Sequence, residues 1–183
     1  MLMVFSLFLH KISKPKQMKT YKTIIYALLS IGLLGMCSCG SKLKWPDLPL
    51  AKATPLFADA SKAQTVDTAF YEIKDAKGDP LGTILYSSPY SDGVKGFNGP
   101  TPLIIALDAE GRIKTVALLD NDETPRFVQR VVEGGLYKAW NGLTVDEALG
   151  KDVDAISGAT YTSNGVRNSL KARLEAYQRQ LKK

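Results

Sequence analysis

The sequence predicts an α+β domain in which antiparallel strands, arranged as two hairpins, are followed by helices. Three observations carry this. Two pairs of apolar, strand-like segments between residues 69 and 119 are each joined by a short turn composition. Helical patterning takes over from residue 125. Near the C-terminus, Val166, Leu170, Leu174, Tyr177 and Leu181 step by four, four, three and four along one face of an amphipathic helix.

Strand signals begin at Thr68. The first hairpin pairs residues 69–74 with 81–86 across Asp75-Ala76-Lys77-Gly78-Asp79-Pro80. A polar loop over 89–102 follows, holding Gly93, Gly96 and Gly99. The second hairpin pairs 103–108 with 112–119 across Ala109-Glu110-Gly111; its first arm is nearly all apolar, which suits a strand buried on both faces. Residues 125–133 read as a helix with Phe127, Val128, Val131 and Val132 grouped and Gly134-Gly135 as the stop. Thr144 caps a short helix ending near Gly150. The last helix is expected from about Gly165 to Leu181, with Ser163 or Asn164 as its N-cap. No internal repeat is visible.

The two ends differ in charge. Residues 1–44 hold seven of the 24 basic residues and no Asp or Glu, so 17 basic face 18 acidic residues over 45–183, a net of −1. The formal charge of +6 therefore sits in the N-terminal segment, and no basic stripe remains to suggest a nucleic-acid partner. Met18-Lys19-Thr20-Tyr21-Lys22 makes a positive n-region, and a better start than Met1. Residues 24–35 form an apolar run of signal-peptide length, short for a membrane span. Cys37 and Cys39 follow where a signal peptidase would cut. Cys39, after Ser38, fits a lipidation site better than Cys37, after Met36. Residues 1–39 are thus expected to be a signal or anchor, with an uncleaved helix as the alternative to a lipid; both tether the chain to a membrane. Residues 40–66, with Pro46, Pro49 and Pro55, read as a linker that leaves room for a short helix within 56–63. Residues 67–183 form the domain.

Cleavage at Cys39 leaves no histidine, since His10 lies upstream, and no free thiol. That excludes a zinc site, a Ser-His triad and a Cys nucleophile, and neither a metal site nor a catalytic residue is assigned. Chemistry must come from carboxylates, hydroxyls, lysines or an acquired cofactor.

The informative stretch is residues 154–166, a small-residue loop running into a helix. Small side chains let a ligand approach the backbone, and a helix N-terminus favours a phosphate. Ser157, Thr160, Thr162 and Ser163 add hydroxyls. These residues alone admit two readings, an anion-binding loop or an ordinary capped helix start after a tight turn.

The stretch resembles the flavinylation motif of the FMN-binding domain shared by the NqrC subunit of the sodium-pumping NADH:quinone reductase and the RnfG subunit of the Rnf complex. That motif reads Asp, two variable residues, Ser or Thr, then Gly-Ala-Thr, matched here by Asp154, Ser157, Gly158, Ala159 and Thr160. Thr162-Ser163-Asn164-Gly165-Val166 also resembles NqrC. Gly96-Phe97-Asn98-Gly99-Pro100 and Asp122-Glu123-Thr124-Pro125 resemble two further family segments, so the likeness covers roughly residues 68–181. The chain departs from the family at Asn121-Asp122, where a His often precedes Glu-Thr-Pro, and at Arg126-Phe127-Val128, where Gly-Leu-Gly often follows. These departures bear on membership of a complete Rnf or Nqr complex, not on the motif.

The resemblance implies FMN joined through its phosphate to the Thr160 hydroxyl by a separate FMN transferase using FAD and a divalent metal. It implies an electron-carrier subunit rather than a stand-alone enzyme, outside the cytoplasmic membrane, with membrane redox partners of the Rnf or Nqr kind or as an independent relay. Asp154 is expected to serve recognition or to fix the loop, or else to cap local backbone. Glu123 and Thr124 are expected to face the flavin or its phosphate, although Pro125 after them also suits an ordinary helix start. Tyr161 either stacks on the isoalloxazine or belongs to the core. The alternative function is a lipoprotein holding FMN, or another phosphate ligand, reversibly.

Overall fold

The computed structural model describes residue 48 and residues 50–183. Five strands form one antiparallel sheet in which sequence neighbours are spatial neighbours: β1 (Lys62–Asp67), β2 (Phe70–Lys74), β3 (Pro80–Tyr86), β4 (Leu103–Asp108) and β5 (Ile113–Leu118). Both expected hairpins are present as β2–β3 and β4–β5. An aspartate closes each turn. Asp75 accepts the N–H groups of Lys77 and Asp79, both at 2.8 Å, and Asp108 accepts those of Glu110 at 3.1 Å and Arg112 at 2.8 Å. These are side-chain mimics of a backbone turn.

Strand β4 is buried on both faces because side chains alternate across a sheet. Leu103, Ile105 and Leu107 point into a core built with Val166, Leu170 and Leu174. Ile104 and Ala106 point the other way, toward Leu48, Ala53, Phe57 and Ile84. That second face corrects the linker. Leu48, Ala53 and Phe57 are buried, residues Leu50–Ala53 form a short helix (α1), and residues 62–67 are β1, so the folded unit begins well before residue 67. No helix forms within 56–63. An uncovered apolar sheet face draws the segment onto itself, and the Phe57 ring packs where a side chain on Gly82 would otherwise stand.

The helices follow: α2 (Pro125–Glu133), a 3₁₀ turn (Leu136–Lys138), α3 (Val145–Gly150) and α4 (Thr160–Leu181). Helix α3 starts with a full capping box. The Thr144 hydroxyl accepts the Glu147 N–H at 3.3 Å, and the Glu147 carboxylate accepts the Thr144 N–H at 2.8 Å.

Helix α4 begins five residues earlier than expected, with Ala159 at the N-cap rather than Ser163 or Asn164. The hydroxyls of the first turn serve tertiary contacts instead of a cap, as described below. Its buried face is the expected one through Tyr177, whereas Leu181 is exposed. A charge lies on that face too. Arg173 is fully buried, donates to the Ala69 carbonyl and to Gln180 Oε1 at 3.0 Å each, and lies over the Tyr90 ring. Burial lowers its pKa to about 10, so it stays charged at neutral pH. Among the described residues no helix is long and apolar enough to cross a membrane. The apolar run at 24–35 and Cys39 lie outside the described residues.

One backbone crossing sets the geometry near the motif. A Cβ on Gly165 would stand 2.8 Å from the Gly96 Cα and 3.0 Å from the Thr101 methyl. Gly165→Ala should therefore cost about 1–3 kcal/mol in chemical denaturation, the usual penalty for overpacking. Gly150→Ala, where nothing lies within 4 Å, is the control and should be neutral or stabilising. Equal effects at the two positions would contradict the crossing.

Candidate functional site

Three segments distant in sequence meet beside the N-terminus of α4: the loop at 96–99, the turn at 121–124 and the motif at 154–163. Glu123 joins them. It is 5% exposed. Its carboxylate accepts the N–H groups of Phe97 at 3.1 Å, Asn98 at 2.7 Å and Gly99 at 3.1 Å, and also the Thr162 hydroxyl. Asn121 positions Glu123 by accepting its N–H at 2.9 Å, and Asn98 Nδ2 donates to the Asp122 carbonyl at 2.8 Å. Burial alone would push the Glu123 carboxyl up. The Thr162 hydroxyl and the N–H groups of Asn98, Gly99 and Phe97 outweigh it and hold the group below the usual carboxylate range. The buried Tyr137 hydroxyl has its pKa pushed up to about 12, by burial and then by the Glu123 charge.

The loop so pinned presents Phe97 to a cleft of about 300 Å³, lined also by Phe127 and residues 158–162. Phe97 packs edge-to-face on Phe127 at 5.0 Å between centroids and lies 6.3 Å from the Tyr161 ring. Phe97 is 55% and Tyr161 69% exposed, so Tyr161 is not a core residue. Single exposed aromatics are ordinary on a protein surface; two around one cleft, beside a helix start, make an apolar rim of mutually tilted rings. A larger groove of about 900 Å³, between residues 51–56 and the sheet, contains no motif residue.

The motif hydroxyls divide sharply. Thr160 is exposed and lines the cleft, and its hydroxyl makes no hydrogen bond among the described residues. Thr162 is buried and gives its hydroxyl to Glu123. Ser163 is buried and accepts the Ile156 N–H at 3.1 Å, folding the loop back on the helix. Ser157 is exposed and outside the cleft lining. Gly158 takes φ +74°, a left-handed conformation that favours glycine, and Ala159 is the buried N-cap residue. Alanine cannot cap, and no side chain caps α4, so its first-turn N–H groups have no side-chain partner.

Three expectations change at the site. Glu123 does not face the cleft but is consumed by the loop and Thr162. Thr124 is the N-cap residue of α2 without a side-chain cap bond, and it does not line the cleft. Asp154 is exposed and caps no backbone among the described residues. The residues not foreseen as a group are Phe97, Phe127 and Arg130. Phe97 lies in a recognised glycine loop, and Phe127 reads as part of an apolar helix face. Arg130 gives no signal in sequence, because its guanidinium reaches the site by packing on Gly158; a Cβ there would stand 2.8 Å from Arg130 Nη1.

Glu123→Gln would turn an amide N–H₂ toward N–H or O–H donors, at a cost of about 1–3 kcal/mol at pH 7. The folded-state pKa is lowered, so the stabilisation is fully present above the unfolded value of 4.5 and is lost as pH falls through the lower folded value. The gap between wild type and Glu123→Gln in chemical denaturation should shrink over that acid range; a gap that is constant from neutral to strongly acid pH would contradict the charge-assisted network.

Comparison with known proteins gives one family match and two relatives. Residues 96–175 match the FMN-binding domain family. The G subunit of the ion-translocating oxidoreductase complex of Stutzerimonas stutzeri is 29% identical over 134 residues, covering 67% of this chain and 58% of that protein. The chain thus matches less than two thirds of that relative's length. The crystal structure of Shewanella oneidensis NqrC overlaps 69% of this chain and 73% of that chain at 18% identity and a TM-score of 0.42. The span matched to the FMN-binding domain family contains the Glu123 junction, both cleft phenylalanines and the Thr160 motif.

Proposed function

We propose that the chain is an envelope-anchored electron-transfer flavoprotein whose FMN is joined by a phosphoester to Thr160 Oγ. One observation carries the reading. Thr160 is the motif hydroxyl that both lines the cleft and is left without a partner, whereas Thr162 and Ser163 spend theirs inside the protein. The residues fit the group. The uncapped start of α4 favours a phosphate beside Thr160, and Phe97, Phe127 and Tyr161 offer apolar faces to an isoalloxazine. Bound flavin supplies the uptake and release of electrons, singly or in pairs. Phe97, Phe127 and Tyr161 would hold the ring, and Thr160 at the start of α4 would fix the attachment point on a helix.

Attachment requires a separate FMN transferase with FAD and a divalent metal. The Thr160 Oγ–P bond forms, a P–O bond of the FAD pyrophosphate breaks, AMP leaves, and the hydroxyl proton passes to a base of the transferase; no electrons move. Exposed Asp154 and Ser157 flank the attachment point and offer the transferase a recognition surface. An ester keeps the flavin from diffusing out of a compartment without an FMN pool.

The anchor is a lipid on Cys39 or the apolar run at 24–35, with the domain outside the cytoplasmic membrane. The Stutzerimonas stutzeri relative, named for an ion-translocating oxidoreductase complex, supports membrane redox partners of the Rnf or Nqr type. A stand-alone relay uses the same site. In both cases the chain is a carrier and not an enzyme acting on a substrate of its own.

Co-expression of the full chain with an FMN transferase should add the mass of one FMN that survives denaturation, and Thr160→Val should lose the increment completely. Flavin released on denaturation of the wild type, with an active transferase present, would favour reversible binding in the same cleft. The intact mass of the chain from membranes should show cleavage before Cys39 and a lipid on it; a mass that still includes residues 24–35 would assign the anchor to the apolar run.

A further inference from the structure

We infer that Arg130 is the counter-cation of the flavin phosphate, a positioning residue that holds the phosphoester on Thr160 in place. The inference rests on the attachment of FMN to Thr160.

Arg130 lies on α2, and its guanidinium packs against the backbone at Gly158, two residues before the attachment point. A Cβ on Gly158 would stand 2.8 Å from Nη1 and 3.4 Å from Cζ, so a side chain there would push the guanidinium aside. Positive φ at Gly158 adds a second, separate demand for glycine. The guanidinium is poised there without reward from the protein. The Arg130 side chain is exposed and has no ion-pair or hydrogen-bond partner among the described residues. The other arginines near the motif are committed. Arg167 pairs with Asp152 at 2.7 Å, and Arg126 lies over the Phe127 ring at 5.5 Å.

The ligand chemistry fits this unpaired charge. A phosphate esterified to both the ribityl chain and Thr160 carries a single negative charge and two free oxygens. Arginine presents a planar fork of donors to such a pair and cannot lose its proton at neutral pH. The uncapped first turn of α4 would supply N–H groups to that phosphate, and Arg130, packed at Gly158, would supply a full charge. The one acid of the motif, Asp154, makes no ion pair with the guanidinium among the described residues.

The test uses the full chain co-expressed with an FMN transferase, as wild type, Arg130→Gln and Arg130→Lys. Loading is read by intact mass after denaturation, and the phosphate environment by the ³¹P resonance of the folded, loaded chain. Arg130→Gln should move the resonance toward its position in the denatured, loaded chain, with Arg130→Lys intermediate. The visible flavin spectrum should stay unchanged, because Arg130 does not line the aromatic cleft. A fully loaded Arg130→Gln chain with the wild-type resonance would overturn the inference and leave the attachment standing. A wild type without the mass increment would overturn both. If Arg130→Gln folds but fails to load, a loaded Arg130→Lys chain with a shifted resonance supports the inference. Failure of both variants to load makes Arg130 a transferase contact and overturns it.

Discussion

The site depends on one buried carboxylate. Glu123 sits between β5 and α2, yet its four donors come from the loop before β4 and from the first turn of α4. Taking a carboxylate out of water costs several kcal/mol unless its lone pairs are filled. Here they are filled by donors to a charged acceptor, each worth about 1.5–3 kcal/mol. The segments that deliver those donors must come close, which is why Gly96 lies 2.8–3.0 Å, at its absent Cβ, from the Glu123 carboxylate, and why Gly165 crosses the Gly96 backbone. The arrangement is cooperative in the plain sense that losing the acceptor orphans donors on two other segments at once.

This junction also decides which hydroxyl is left for chemistry. Glu123 takes Thr162, and the Ile156 N–H takes Ser163, so the turn that begins α4 is fixed by inward bonds. Ala159 then stands where a helix normally places Ser, Thr, Asp or Asn, a choice that forgoes about 1 kcal/mol of capping. Foregone capping at a helix start that faces an aromatic cleft is the local inconsistency expected where a fold reserves donors for a ligand.

The hairpins, α2 and the Thr144 cap were legible because each is a local signal: β-branched runs around Asp- and Gly-containing turns, Pro at N1, a capping box. The C-terminal helix was legible by its face but not by its start. Ser163 looks like a cap in sequence, and only the position of Ile156 and Glu123 shows that its turn is already helical. Strand β1 was missed because Lys62-Ala63-Gln64-Thr65-Val66-Asp67 is polar on an exposed edge, where burial does not shape composition. The contribution of residues 48–57 to the second sheet face is a long-range fact with no local periodicity. At the site, the motif marked Thr160 by family resemblance, whereas Glu123 gave up its expected ligand role for a structural one. Arg130, on an unremarkable helix face, becomes visible only through what Gly158 lacks.

The central claim is that the exposed hydroxyl of Thr160, and not its inward-facing neighbours, carries the flavin. Trypsin should release residues 152–167 as one peptide holding all four motif hydroxyls. Fragmentation of that peptide from the loaded chain should place the flavin phosphate on Thr160 alone. A flavin on Ser157, Thr162 or Ser163 would contradict the division of hydroxyls described above, and an unmodified peptide from a chain that had met an active transferase would contradict the covalent carrier itself.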